Sequence, residues 1–146
     1  MSGGASLERV KALLATVSDL HGVLFKPLPY PAADRPMVVL AQGGAQIAEL
    51  NAYLEMISAT PRSLKASGIG NGQTIAGAVS GNTHGSQLNF GAMPDFVVGL
   101  HIATGGGRTL WIERASKPVL NADFCAGIDA ELVRDDEIFN AAVVSF

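Results

Sequence analysis

Cysteines, charged residues and long apolar runs are all scarce in this chain of 146 residues. The single cysteine, Cys125, excludes an internal disulfide, and its neighbours Phe124 and Ala126 favour a packing role over a nucleophilic one. The 3 histidines stand apart from one another, without the nearby acids or the cysteine spacing of a metal site. We therefore expect neither a disulfide framework nor a metal centre.

The charge balance argues against nucleic acid as a partner. Lys and Arg number 10 against 13 Asp and Glu, whereas nucleic-acid binding needs clustered cations. No apolar run approaches the length of a membrane span, and residues 1–6 lack the basic and apolar regions of a signal peptide, so we expect a cytoplasmic protein. Only 16 % of residues are charged, which indicates surface that a cofactor, a partner or further protein covers.

The first half of the chain combines helical and extended patterns. Apolar residues at helical spacing predict a helix within residues 5–20, and four prolines predict an extended, irregular connection over residues 23–36. The wholly apolar run 37–41 is typical of a buried strand. Beyond two glycines lies the clearest helix pattern of the chain, whose apolar face is formed by Ile47, Leu50, Leu54 and Ile57.

The second half begins its regular structure with a hairpin pattern. Residues 96–103 alternate as a strand does, three consecutive glycines supply a turn, and residues 108–113 return. We interpret Trp111 as a core aromatic and His101 as a core or sheet-face residue. Asp95 is interpreted as a capping or loop-orienting residue rather than a catalytic one.

The tail predicts two further helices, near residues 121–127 and 135–143, with Asp135 and Asp136 favourable near a helix N-terminus. Together these patterns predict an α+β fold, in which a small, mainly antiparallel sheet packs against helices.

The stretch 70–86 carries the chemistry of the chain. It alternates small residues with hydroxyl, amide and imidazole groups, and it contains neither Lys nor Arg. Such a stretch binds an anion through backbone N–H groups, and we expect residues 76–79 to open a short helix that offers those amides. Its spacing matches neither the Walker motif nor the Rossmann glycine fingerprint.

This stretch resembles part of a known family. Gln73–Ala78, followed by Asn82–Ser86, is similar to the second FAD-contacting loop of FAD-linked oxidases of the vanillyl-alcohol oxidase / p-cresol methylhydroxylase type. The flanks agree in order, since residues 38–54 resemble the strand and helix before that loop and residues 95–107 resemble the hairpin after it. The resemblance covers residues 36–146 and implies the second subdomain of an FAD-binding domain.

The resemblance also implies a set of cofactor contacts. In that family the loop's backbone and short polar side chains contact the pyrophosphate and the edge of the flavin ring. Gly77 and Gly85 would then allow close approach, while Thr83 and Ser86 would donate hydrogen bonds to FAD oxygens. His84 would stand near the flavin as a polar wall rather than as a base. The implied FAD-binding residues are Thr74, Ala76, Gly77, Asn82, Thr83, His84, Gly85 and Ser86.

Two parts of the family's pattern are not found. Residues 1–35, an N-terminal helix and proline-rich connection, do not resemble the family's first FAD loop, whereas residues 36–146 form a partial FAD-binding domain. The sequence also ends where the family continues into the strand that holds the adenine end. We therefore expect a domain truncated at both ends, which pairs with a complementary segment or with a second copy of itself.

The function implied by the resemblance is the FAD-binding portion of an oxidoreductase that oxidises an alcohol or lactone-type CH–OH donor. We expect the isolated chain to be inactive. Two alternatives stay open at this point. One is a non-catalytic binding or assembly module that keeps the scaffold and pairs with another chain. The other is the FAD subunit of a molybdenum hydroxylase, which shares the superfamily.

Overall fold

The structure is a computed structural model that describes residues 25–27, 38–56, 61–120 and 122–144. These residues form two compact units. The first contains the described residues up to Lys65 together with Gly70–Gly77, and the second contains Ala66–Ile69 and the described residues from Ala78 onward. The helix predicted within residues 5–20 lies outside the described residues.

The first unit opens with a pair of short strands. Phe25–Pro27 (β1) pairs antiparallel with Val39–Ala41 (β2). The predicted irregular connection over residues 23–36 is therefore wrong for β1, where proline is tolerated because it stands at the end of a short strand. β2 confirms the predicted strand, although its side chains are half-buried rather than fully buried.

Helix α1, Ile47–Met56, confirms the clearest helix prediction. Ile47 and Leu50 are its buried residues, as the apolar spacing predicted. Its first turn is closed by Glu49, whose carboxylate accepts a hydrogen bond from the Gln46 N–H at 2.8 Å in the manner of a capping box. The sequence therefore sets both the buried face and the beginning of α1.

The end of α1 is tied to the segment that follows. Asn51 Oδ1 accepts a hydrogen bond from the Leu64 N–H at 3.4 Å, and the Leu54 carbonyl accepts one from the Arg62 N–H at 3.2 Å. Leu54 is half-buried, and Ile57 lies outside the described residues. A second, shorter helix, α2, spans Ile75–Ser80, and the division between the two units falls within it.

The second unit contains a three-stranded sheet in the order β3 (Gly99–Ala103), β4 (Thr109–Glu113) and β5 (Glu131–Arg134). β3 and β4 form the predicted antiparallel hairpin, with Gly99 opposite Glu113. β5 lies parallel to β4, so the sheet is mixed. The α+β class is confirmed, while the sequence pattern gave no sign of β5.

The hairpin begins later than its sequence pattern predicts. Phe96 ends a 3₁₀ turn, Met93–Phe96, and β3 begins only at Gly99. Pro94 suits the start of that turn because its φ is fixed and its missing N–H is not needed there. The Asp95 carboxylate accepts a hydrogen bond from the Ala92 N–H at 3.1 Å, which confirms its capping role. The predicted strand start at residue 96 is therefore wrong.

Two helices flank β5 and confirm the predicted tail helices, namely α3 (Ala122–Gly127) and α4 (Asp136–Val143). α4 begins after Asp135, whose side chain accepts a hydrogen bond from the Ile138 N–H at 2.8 Å. Asp136 in the first turn adds negative charge where the helix dipole favours it.

The buried interior of the second unit is largely apolar. Phe139 is completely buried, and the guanidinium of Arg114 lies 4.1 Å from its ring centroid. Cys125 is buried and free, and burial together with the Glu113 charge raises the pKa of its thiol, which confirms the packing role. The other buried apolar residues are Ala66, Ala78, Val79, Met93, Trp111, Ile112, Leu120 and Val143.

Of the two positions predicted for His101, the structure shows the sheet face and not the core, because its side chain is exposed on β3. Among the described helices none is both long and apolar enough to cross a membrane. Across the same ranges, no three His, Cys, Asp or Glu side chains are grouped closely enough to hold a metal ion.

The position of the Trp111 indole leaves room only for glycine at position 99. A Cβ atom on Gly99 would overlap the Trp111 indole, which is only 3 % exposed. We expect Gly99→Ala to lower the free energy of unfolding by about 1–3 kcal/mol through overpacking. Urea unfolding measures this, with Gly105→Ala as the control because a Cβ there meets open space. Equal stabilities for the two variants would show that the indole has room to move.

Candidate functional site

The residues assigned from the resemblance fall into two groups. Thr74, Ala76 and Gly77 belong to the first unit, and Asn82–Ser86 belong to the second. None of them is buried: Thr83 and Gly85 are half-buried, and the others are exposed. All are therefore accessible to a ligand, and their role in binding FAD stays a prediction.

Helices α1 and α2 cap each other at their N-termini. The segments 43–48 and 71–76 meet through an antiparallel bridge between Gln46 and Thr74. Carbonyls of each segment accept hydrogen bonds from the first amides of the other segment's helix, with the same offsets on both sides. The four bonds, at 2.7 to 3.0 Å, run from Ile47 N to Gln73 O, Ala48 N to Asn71 O, Ile75 N to Ala45 O and Ala76 N to Gly43 O.

This reciprocal cap occupies the N-terminal amides of α2. Ile75 and Ala76 donate to backbone carbonyls, and the Gly77 N–H donates to Thr74 Oγ1 at 3.1 Å. The expectation that this helix offers its first amides to an anion is therefore wrong. The sequence signal that we missed is a shared Gly-x-x-Ile-Ala pattern, which begins at Gly44 and again at Gly72.

The C-terminal end of α2 is also closed by the protein. The Thr83 N–H donates to the Ala78 carbonyl at 2.9 Å, and the Asn82 N–H donates to the Val79 carbonyl at 3.1 Å. These two bonds form a Schellman motif, with Asn82 at φ 52° in the left-handed position that usually takes glycine or asparagine. Asn82 therefore ends the helix, and its exposed side chain is left for other contacts.

Free hydrogen-bond donors begin after Thr83. Within the described part of the chain, the backbone amides of His84, Gly85 and Ser86 have no protein acceptor. His84 Nδ1 lies 3.1 Å from the Gly85 carbonyl oxygen, which can only accept, so the proton belongs on Nδ1 and Nε2 is left as an acceptor. The stretch 84–86 thus presents three backbone donors, an imidazole acceptor and the hydroxyl of Ser86.

The comparison with protein families now assigns the class. Residues 32–113, more than half of the chain, match the family described as FAD binding domain. The chain belongs to this family, which is the FAD-binding domain of FAD-linked oxidases. Both groups of candidate residues and the β3–β4 hairpin lie inside the matched range, whereas β5 and α4 lie beyond it. No curated protein and no solved structure matches the chain.

The exposed groups on the candidate residues fit FAD chemically. The amides of residues 84–86 and the hydroxyl groups of Thr74 and Ser86 can donate to phosphate and ribityl oxygens, and the exposed Gly77 has no side chain to keep a flat ring from the backbone. Asp95 is the only formally charged residue between residues 67 and 107.

Proposed function

We propose that residues 36–146 are the FAD-binding portion of a flavin-dependent oxidoreductase of the vanillyl-alcohol oxidase / p-cresol methylhydroxylase type. Its donor is proposed to be an alcohol or lactone-type CH–OH group. Membership of the FAD-binding family over residues 32–113 carries this proposal. Bound flavin supplies the hydride acceptor, and the residues of this chain bind and place it.

The proposed contacts divide according to the groups that the fold leaves available. The amides of His84, Gly85 and Ser86 donate to FAD oxygens, because none of the residues that the structure describes accepts a hydrogen bond from them. Thr74 already accepts from Gly77 but can still donate its own hydroxyl proton. Ala76 and Gly77 contribute a small, close surface rather than amides, and His84 Nε2 accepts from the ligand.

The same geometry predicts weak binding by the chain alone. The candidate stretch 70–86 lacks Lys and Arg, so its contacts with the pyrophosphate rest on neutral donors. We assign His84 to contact with the cofactor and not to the removal of the hydroxyl proton of a CH–OH donor. We propose that the isolated chain binds FAD weakly and oxidises neither sugar alcohols nor lactones.

An NMR titration tests the proposed function. FAD added to the ¹⁵N-labelled chain should shift the amide signals of Ala76, Gly77 and residues 84–86 in fast exchange, while signals of α4 stay in place. NAD⁺ is the matched control ligand, because it shares the adenosine and pyrophosphate but lacks the flavin ring. Equal shifts with both ligands would reduce the site to a general phosphate contact. No shift with millimolar FAD would contradict FAD binding.

A specific observation favours the assembly module as the second candidate function. Ile69 and Leu88 are almost completely exposed, and Met56 is 77 % exposed. Apolar side chains mark a surface that another polypeptide covers where they form a contiguous patch, and these three are among the groups that such a partner would contact. Sedimentation measures whether the chain associates with itself or with another polypeptide. Association of a chain whose amide signals do not shift with FAD would support the assembly module.

A further inference from the structure

The segment 66–68 lies against the second group of candidate residues, within the same unit. Gly68 has a φ of 71°, and a Cβ atom placed on it would lie 2.9 Å from Thr83 Cγ2 and 3.3 Å from the His84 carbonyl oxygen. A second contact joins the same two segments, since a Cβ on Gly85 would lie 3.5 Å from the Cβ of buried Ala66. The segment therefore supports the backbone of residues 83–85 from one side.

Thr83 is also held by hydrogen bonds to other parts of the unit. Its carbonyl accepts from the Met93 N–H at 2.7 Å, and its own N–H donates to the Ala78 carbonyl at 2.9 Å. The backbone of Thr83 is thus fixed, whereas the amides of residues 84–86 have no acceptor among the described residues. A side chain at position 68 would therefore change the direction in which the backbone amides of residues 84–86 point.

We infer that Gly68 is a positioning residue for FAD, which sets the Thr83–Gly85 backbone against the ligand; this rests on the proposed FAD-binding function. Two independent features require glycine at this position. The left-handed φ costs other L-residues about 1–2 kcal/mol. A Cβ atom at position 68 would require the Thr83 side chain to shift, and the His84 carbonyl of the backbone would have to move by a few tenths of an ångström.

A double-mutant cycle tests the inference. Thr83→Ser removes Cγ2, the atom nearest to the added Cβ, and keeps the hydroxyl. The amide shifts of residues 84–86 and the FAD affinity are measured for the wild type, Gly68→Ala, Thr83→Ser and the double variant. Gly70→Ala is the control, because a Cβ on Gly70 meets open space.

We expect Gly68→Ala to weaken FAD binding about tenfold, equivalent to about 1.4 kcal/mol. Without ligand it should shift the amide signals of residues 83–85, and Gly70→Ala should do neither. In the Thr83→Ser background the same change should cost clearly less affinity, because the short contact is gone. A purely structural role would lower thermal stability but would leave the affinity of the folded chain and this coupling unaltered.

The outcomes separate this inference from the proposed function. Absence of FAD binding by the wild type would overturn the proposed function, and the role of Gly68 with it. Binding by the wild type and by Gly68→Ala with equal affinity would overturn only the inference. If Gly68→Ala does not fold, Gly68→Asn replaces it, since asparagine tolerates a left-handed φ and carries the same Cβ. Wild-type affinity in folded Gly68→Asn would also overturn the inference.

Discussion

Glu113→Gln should lower the free energy of unfolding by about 1–3 kcal/mol, because it leaves hydrogen-bond donors around a buried side chain without their acceptor. Glu113 is completely buried, and its carboxylate accepts from four donors. Oε1 accepts from Arg134 Nε at 2.8 Å. Oε2 accepts at 3.1 Å from Trp111 Nε1 and from the backbone amides of Val119 and Leu120. The carboxamide of glutamine has only one oxygen, so its NH₂ group replaces either Oε1 or Oε2. That NH₂ group then faces hydrogen-bond donors and cannot accept from them.

The stability that Glu113 contributes should decrease as the pH falls. Burial alone would raise the pKa of Glu113, but the hydrogen bonds from Arg134, Trp111 and the amides of Leu120 and Val119 outweigh it, and the pKa is lowered. A lowered pKa stabilises the fold at pH values above the unfolded-state pKa of about 4.3, and this stabilisation is lost as the pH falls through the folded-state pKa. Glu113→Gln should therefore be less sensitive to acid below about pH 4.3 than the wild type.

A second ion pair in the same sheet provides the control. Arg108 and Glu131 are 2.5 Å apart, and their side chains are 66 % and 59 % exposed. Exposed pairs contribute about 0–1 kcal/mol, so Glu131→Gln should change the urea midpoint little. Equal losses for the two variants, or an unchanged acid transition in Glu113→Gln, would show that the buried cluster does not stabilise the fold as argued.

The sequence predicted the elements whose signals are local. The apolar spacing of α1, the alternation around the triple glycine and Asp135 at the start of α4 each appear in the structure. β1 and β5 were missed because each is short and is defined by its partner strand. β5 has no strict alternation and pairs parallel with β4, which no turn in the sequence announces.

The chemistry of the candidate site was partly readable for the same reason. Small and polar residues between 74 and 86 predict a ligand-binding stretch, and the stretch lies within the range of the family match. Which amides are free was not readable, because it depends on carbonyls of residues 43–45 far away in sequence. Gly68 escaped notice as well, since its role rests on a contact with Thr83 and not on a motif.

Gly77→Leu should abolish the FAD-induced NMR shifts while the fold is kept. Gly77 is exposed within α2, and its added Cβ would lie 3.0 Å from Thr74 Oγ1, a side-chain atom that can move by a few tenths of an ångström. Replacing a glycine inside a helix stabilises the helix by about 0.5–1 kcal/mol, which offsets that adjustment. We expect the rest of the leucine side chain to cover the surface around Thr74 and Gly77 that we propose for the ligand.

The matched control is Gly127→Leu in α3, where an added Cβ meets open space and no ligand contact is proposed. We expect the control to bind FAD as the wild type does and Gly77→Leu to bind at least tenfold more weakly, a difference of about 1.4 kcal/mol or more. Thermal unfolding should show both variants to be folded at the temperature of the titration, so that unfolding does not explain the loss of FAD binding. FAD shifts that persist in a folded Gly77→Leu would remove Gly77 from the proposed site. Loss of binding in both variants would instead indicate that added bulk acts through association of the chain rather than at the ligand.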